Sequence, residues 1–305
     1  MKKGISYWSF PGGLEDTAPY DKVFKQAARL GYDSVECSYG AAGLLTRKTT
    51  EAQCKEIRAQ AKDAGVEISS VATGIYWVKS LTANSKAVRK QAVEHTKHMV
   101  RIARALGTDA VLVVPGAVNV FFDPASELIR YDEVKKRSKQ SIKACLATAK
   151  KYRVKLCLEN VWSKFLLSPT EMCDFIDSFK SPYVKCYFDT GNVVLYGYPE
   201  HWIEILGRRL GRVHFKDYKW AFLPDCNQVK GFKGFARGQA WGTMGAFCDL
   251  GAGDVNWPAV MKAFKKVKYN GYVTGEMLPP GPGLLARTSK NMDRILGRKG
   301  KKRRK

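Results

Sequence analysis

The sequence predicts a (β/α)8 barrel, an α/β fold, from three observations. Apolar runs of strand length alternate with longer amphipathic stretches, and the alternation repeats about eight times along 305 residues. No shift in composition divides the chain in two, and no GxGxxG follows the first strand as an open dinucleotide-binding sheet would require. Taken in order, the strands are placed at Ile5–Phe10, Ser34–Cys37, Glu67–Ala72, Ala110–Val114, Lys155–Leu158, Val184–Phe188, Arg212–Phe215 and Tyr272–Gly275. Helices are expected to begin near Tyr20, Thr50, Ser85, Tyr131, Ser168, Pro199, Trp257 and Leu284. Ser168-Pro-Thr-Glu reads as a capped helix start with Pro in the first turn, and Gly31, Gly65 and Gly107 follow helices where a left-handed residue is wanted.

Residues 1–297 are therefore read as a single catalytic barrel domain, and 298–305 as a basic disordered tail. The tail carries seven positive charges and no hydrophobic side chain. Lysine and arginine number 52 against 28 acidic residues, a net +24 that raises the question of a nucleic-acid partner. Outside the tail, the surplus follows outer helix faces such as Lys86, Arg89, Lys90, Lys97, Arg101 and Arg104, which argues for solvated surface over a specific nucleic-acid site. No apolar run reaches the roughly 20 residues of a membrane span, and Met1–Phe10 has no signal-like apolar stretch, so a cytoplasmic protein is expected. The eight cysteines contain no CxxC pair and sit mostly in apolar runs, as reduced thiols do.

One segment breaks the rhythm. About forty residues separate the seventh strand from the helix at Trp257, and Gly231–Gly253 combines seven glycines with Lys230, Lys233, Arg237 and several aromatics. A loop at this position overlies the mouth of a barrel, so it reads either as an active-site lid or as a surface insertion.

Reactive groups in such a barrel come from the carboxyl ends of strands, and four successive strands end in a suitable residue: Glu159, Asp189, His214 and Glu276. Two glutamates, an aspartate and a neutral histidine form a hard, oxygen-rich donor set. It suits one divalent ion, Mn2+ or Mg2+ first and Zn2+ or Co2+ as alternatives. Any one of these residues alone would read as a strand-end hydrogen-bond acceptor, but equivalent positions on four successive strands argue against coincidence. His95 falls on the apolar stripe of its helix and is expected in the core; His98 and His201 are also helical.

The blocks Leu158-Glu-Asn-Val-Trp-Ser-Lys-Phe-Leu-Leu-Ser-Pro, Tyr187-Phe-Asp-Thr-Gly-Asn, Arg212-Val-His-Phe-Lys-Asp, Gly253-Asp-Val-Asn-Trp-Pro and Gly271-Tyr-Val-Thr-Gly-Glu-Met carry a resemblance. Together they resemble the sugar phosphate isomerase/epimerase family, the xylose isomerase-like TIM barrels that include ketose and ulose-phosphate 3-epimerases, hydroxypyruvate isomerase and apurinic endonucleases. The similarity spans Lys3 to about Leu296 and is dense from Val154 onward.

The resemblance implies that Glu159, Asp189, His214 and Glu276 are metal ligands and that Glu159 and Glu276 also form the acid/base pair. The implied reaction is isomerisation or epimerisation of a ketose or ketose phosphate through an enediolate. The metal stabilises the developing oxyanion while one glutamate removes a proton and the other returns one. Free-ketohexose 3-epimerases commonly carry a histidine three residues after the metal-binding aspartate and an acidic residue further along the preceding loop. Here those places hold Asn192 and Leu166, closer to the phosphorylated-ulose branch, while Ser163 departs from the Asn usual there. Asn192, Trp162 and Lys216 are the candidate substrate contacts. Lys164 and Arg237 are further candidates for phosphate, and Tyr7, Trp8 and Trp241 for apolar walls. The alternatives are a 3-keto-sugar lyase or epimerase and an apurinic endonuclease-like enzyme, the latter disfavoured because its metal cluster needs more histidines. The partner implied is a small sugar or sugar phosphate, not a membrane; homo-oligomerisation is left open.

Overall fold

The computed structural model describes residues 1–120, 122–123, 125–220 and 245–298. Its strands, in chain order, are β1 (Lys2–Ser6), β2 (Ser34–Ser38), β3 (Glu67–Ala72), β4 (Ala110–Val113), β5 (Lys155–Glu159), β6 (Val184–Asp189), β7 (Leu210–Phe215), β8 (Asp217–Trp220), β9 (Gly245–Cys248) and β10 (Tyr272–Gly275). All but β8 and β9 are parallel and close into a ring, β1-β10-β7-β6-β5-β4-β3-β2. Each barrel strand pairs with the barrel strands before and after it in sequence, and β10 closes on β1 with Ile5 opposite Gly275. The expected (β/α)8 barrel is the fold.

The helices are α1 (Tyr20–Arg29), α2 (Glu51–Ala64), α3 (Lys86–Leu106), α4 (Tyr131–Tyr152), α5 (Pro169–Asp177), the short α6 (Thr190–Val193), α7 (Pro199–Leu206), α8 (Trp257–Lys266) and α9 (Leu284–Ile295). Their starts are set locally. Thr50 and Gln53 form a reciprocal capping box on α2, Ser85 caps α3, and Ser168 accepts from Glu171 N with Pro169 in the first turn of α5. Loss of one such cap costs about 1 kcal/mol. Gly65 and Gly107 end α2 and α3 in the left-handed region, at φ 74° and 86°, as the sequence predicts.

Two elements differ from the sequence reading. The first strand, expected at Ile5–Phe10, begins at Lys2 and gives way at Tyr7–Ser9 to a 3-10 turn capped by the Ser6 side chain. Lysines hid its start: Lys3 is buried against α9, where its ammonium donates to Ser289 Oγ at 2.9 Å and Asp293 at 2.6 Å. The long excursion after β7 also contains strands, since β8 and β9 form an antiparallel pair with Asp217 opposite Cys248. The centre of the candidate lid, with Lys230, Lys233, Arg237 and Trp241, lies outside the described residues, as does Cys226.

Below the mouth the barrel is filled by side chains. On β7 the pleat points Arg212 and His214 to the same inner face, two residues apart. Arg212 lies low, buried, donating to Ser69 O at 2.8 Å, pairing with Asp109 and stacking over Tyr272. His95 sits in the core with Tyr39 OH 3.0 Å from its Nδ1, as expected. The seven described cysteines are free thiols, six of them buried. Of the expected basic tail only Arg298 is described; it donates to Met1 O at 2.8 Å and pairs with Asp33. No described helix is long and apolar enough to cross a membrane.

Candidate metal centre at the barrel mouth

The four strand-end residues converge. One donor atom from each of Glu159, Asp189, His214 and Glu276 lies within 4.8 Å of the others, and all four residues are buried. Register explains the convergence. Asp189 is opposite His214 across β6 and β7, His214 is opposite Thr274, and Glu276 follows two residues above on the same face; Glu159 is opposite Tyr187, two residues below Asp189. Strand tilt in a closed barrel brings this staircase to one height.

The loops that carry the motifs hold these groups in place. Asp189 caps the α6 turn by accepting from Asn192 N at 2.9 Å. Asn160 clamps β5 to β6, its side chain accepting from Asp189 N at 2.8 Å and donating to Asp189 O at 2.9 Å. Thr190 Oγ1 donates to Lys216 O at 2.7 Å, and Gly191 must lack a side chain because a Cβ there would lie 2.6 Å from Lys216 Cβ. Asp217 organises the return of the chain from the hairpin, accepting from Gly251 N, Val255 N and Trp257 Nε1. The Asp-Thr-Gly-Asn, His-Phe-Lys-Asp and Gly-Asp-Val-Asn-Trp blocks are thus parts of one support.

His214 Nδ1 faces the carboxylates, 3.2 Å from Glu159 Oε1 and 3.4 Å from Glu276 Oε2. Its Nε2 lies 2.9 Å from Oε1 of Glu36, a fully buried carboxylate on β2. Glu36 in turn accepts from Ser70 Oγ at 2.8 Å and from Tyr187 OH. Sequence reading missed Glu36, although an acid inside the apolar run Ser34-Val-Glu-Cys was a visible signal. Missed too were Asn160, Ser70 and Tyr187, whose roles depend on neighbours far along the chain.

Charge at the centre is balanced by cations from two sides. Lys216 Nζ lies 2.6 Å from Glu276 Oε2 and 3.4 Å from Asp189 Oδ2. Burial pushes the Glu159 carboxyl up to about 7 and raises that of Asp189. At Glu276 burial acts in the same direction, but the Lys216 ammonium and His214 outweigh it and leave the group below its usual range. Burial opposes charge on His214, yet Glu36, Glu276 and Glu159 together hold its pKa well above that of free imidazole.

The donor set fits a divalent cation. Asp189 Oδ2 is buried without a directed hydrogen bond, with only the longer ion-pair contacts to Lys216 Nζ at 3.4 Å and His214 Nδ1 at 3.9 Å, and a buried carboxylate oxygen left in that state is costly. Three carboxylates and one imidazole whose far nitrogen is held by an acid match the pattern of hard-metal sites. Among the described residues, these four side chains form a single group of potential ligands.

The cluster opens on a cavity of about 670 Å³, with Glu159, Glu276, Asn192, Trp162 and Lys216 in its wall. Asn192 Nδ2 donates to Asn160 O at 3.0 Å, and Trp162 Nε1 donates to Asn192 O at 2.9 Å while its ring stacks on Phe247 at 5.0 Å. Trp8 lines the cavity, whereas Tyr7 is buried behind it with its hydroxyl on Ala18 O. Lys164 is absent from the described wall and sits 3.4 Å from Asn119 Oδ1. Leu166 is buried.

No curated protein sequence matches the chain. Among solved structures, the fold is similar to that of D-psicose 3-epimerase from Clostridium cellulolyticum H10 with D-tagatose, at 19% identity over 97% of this chain and 99% of that one, with a TM-score of 0.75. It is also similar to an L-ribulose 3-epimerase, at 17% identity over 97% and 86% of the two chains, TM-score 0.68. A third similar structure is 3-keto-D-glucoside 4-epimerase from E. coli, at 14% identity over 97% and 99%, TM-score 0.71. These identities speak for the fold. The sequence profile of the xylose isomerase-like TIM barrels matches residues 24–294, and the chain belongs to that family.

Proposed function

We propose that the protein is a divalent-metal-dependent sugar isomerase or epimerase that moves a proton at the carbon beside a sugar carbonyl, a ketose being the simplest substrate. The observation that carries this reading is the convergence of Glu159, Asp189, His214 and Glu276 at the floor of a cavity. Those four residues would hold the ion, which supplies Lewis-acid stabilisation of the negative charge that develops on the substrate oxygens.

The chain's own groups do the rest. Glu159 and Glu276 both reach the cavity wall, so one carboxylate takes the proton from carbon and the other, already protonated, returns one. Delivery to the same carbon from the opposite face inverts it; delivery to the neighbouring carbon isomerises the sugar. Lys216, ion-paired to Glu276, keeps that carboxylate charged and donates toward substrate oxygen at the wall. Asn192, tied to Asn160, and Trp162 shape the adjoining surface.

Phosphate recognition finds little support in the described wall. Its acids are Asp16, Glu159 and Glu276, and its one lysine or arginine among the described residues is Lys216, held by Glu276. This distribution favours a neutral sugar.

The test is deuterium uptake from D2O into a panel of ketoses and keto-sugars by the Mn2+-loaded protein. Uptake at carbon beside the carbonyl is expected, with Glu159→Gln and Glu276→Gln each slowing it by about 10²–10⁴-fold. Full exchange after exhaustive chelation, or unchanged exchange in both variants, overturns the reading.

A further inference from the structure

The positive surplus is segregated by helix. On α3, Lys86, Arg89, Lys90, Lys97, Arg101 and Arg104 stand against one acid, Glu94. On α4, Lys135, Lys136, Arg137, Lys139, Lys143, Lys150 and Lys151 stand against Asp132 and Glu133, both in the first turn. The helices before and after this pair differ: α2 carries three cations and three acids, and α5 carries three acids and no cation. Charge that served solubility alone would be interspersed in sign over the whole outer wall.

α3 and α4 pack side by side, α3 against β3 and β4. At 21 and 22 residues, each runs about 30 Å, with axes about 8–10 Å apart. The three acids of the pair are already answered: Glu94 by Lys97 at 2.9 Å, Glu133 by Lys136 and Arg137 at 3.4 Å each, and Asp132 by Arg130 at 3.1 Å. Lys90, Arg101, Arg104, Lys135, Lys143 and Lys150 are exposed and form no ion pair among the described residues. Cations also recur four residues apart, as in Lys86 and Lys90, Lys97 and Arg101, and Lys135, Lys139 and Lys143. Like charges at that spacing repel and weaken a helix, a cost that a partner of opposite charge offsets.

The shape of the patch selects the partner. Its cations are spread along two ridges instead of converging on one point, which suits a linear polyanion and not a small one. Duplex nucleic acid carries one negative charge about every 1.7 Å of its axis, so a ridge of this length spans many phosphates. A helix seated on a lipid surface presents large apolar side chains to it; among the described residues of α3 and α4, the exposed one is Tyr131, at the start of α4. Lysine, which predominates here, is a point charge that reads phosphate and carries no fork for a base edge.

We propose that the α3–α4 wall is a docking surface for the phosphate backbone of duplex nucleic acid, bound without sequence preference. None of its cations lines the mouth cavity, so a docked duplex leaves the mouth open, and the proposal is independent of the chemistry there.

The experiment is fluorescence anisotropy of the full chain with two DNA duplexes of about 30 base pairs and unrelated sequence, titrated from about 50 to 300 mM salt. Equal affinity for the two is expected, with log affinity falling by about 4 or more per tenfold rise in salt, as neutralisation of about five phosphates requires. The combined variant Lys90→Glu, Arg101→Glu, Lys143→Glu and Lys150→Glu should weaken binding by at least about tenfold and flatten the slope, with unchanged far-ultraviolet dichroism. The same four positions changed to Gln should act in the same direction. Replacing Lys299, Lys301, Lys302, Arg303, Arg304 and Lys305 by Ala separates the tail from the wall and should leave most of the affinity. Absence of binding at the lowest salt, parental affinity in both four-site variants, or loss confined to the tail variant overturns the proposal. So does tighter binding to phosphatidylserine vesicles than to the duplexes at the same salt.

Discussion

Glu36 shows how much of this site depends on a residue that never reaches the cavity wall. Its carboxylate fixes which nitrogen of His214 faces the metal position, and Ser70 and Tyr187 fix the carboxylate. Outer carboxylates of this kind are worth about 10–100-fold in metal affinity. Glu36→Gln should therefore weaken Mn2+ binding by at least about tenfold in calorimetry, with the far-ultraviolet dichroism of the protein unchanged; affinity within twofold of the parent would remove Glu36 from this role. The four converging strand-end residues were legible in the sequence because each stands at the end of an apolar run, at the place where a barrel displays chemistry. Glu36 was not, because only closure of the ring brings β2 across from β7.

Among elements, β7 links the mouth to the floor. Its Arg212 is nearly covered and is held by Asp109 from the β4 side. Burial tends to raise the Asp109 carboxyl, but Arg212 and Lys155 outweigh it and set its pKa below the usual value. A depressed carboxylate contributes stability above the unfolded value of about 3.9, and the contribution fades as pH falls through the folded value. Asp109→Asn should cost about 1–2 kcal/mol at pH 7, a figure reduced from that of a fully buried pair because Asp109 is half exposed to screening solvent. In urea titrations the gap between parent and variant should shrink at pH 3; a constant gap would show that the ion pair is not its source. Helix starts were legible to within a residue or two because caps and prolines act locally. The hairpin β8 and β9 was not, since each strand is four residues long and its partner lies beyond an intervening segment.

For the molecule as a whole, the carboxylates clustered at the mouth, answered in this structure by Lys216 and His214, tie the proposed binding of a divalent cation to folding. An ion at 100 times its dissociation constant adds about 2.7 kcal/mol to folding stability, worth roughly 4 °C in midpoint for a chain of this size. Thermal unfolding with Mn2+ against unfolding with chelator should show that rise, and Asp189→Asn should lose most of it. Coincident curves would mean that no ion is held by the folded state. The positive surplus plays no part in this expectation: among the described residues, Lys216 is the one lysine or arginine in the cavity wall.

Alternation of apolar and amphipathic segments determined the barrel, its strand order and the residues at strand ends, because these depend on periodicity and on local caps that any stretch of chain carries with it. Tertiary structure alone decided which side chains answer one another: Glu36 behind His214, Lys216 against Glu276, and Asn160 clamped to the backbone of Asp189. Those relations join strands and loops distant in sequence, and they exist only once the first strand has paired with the last.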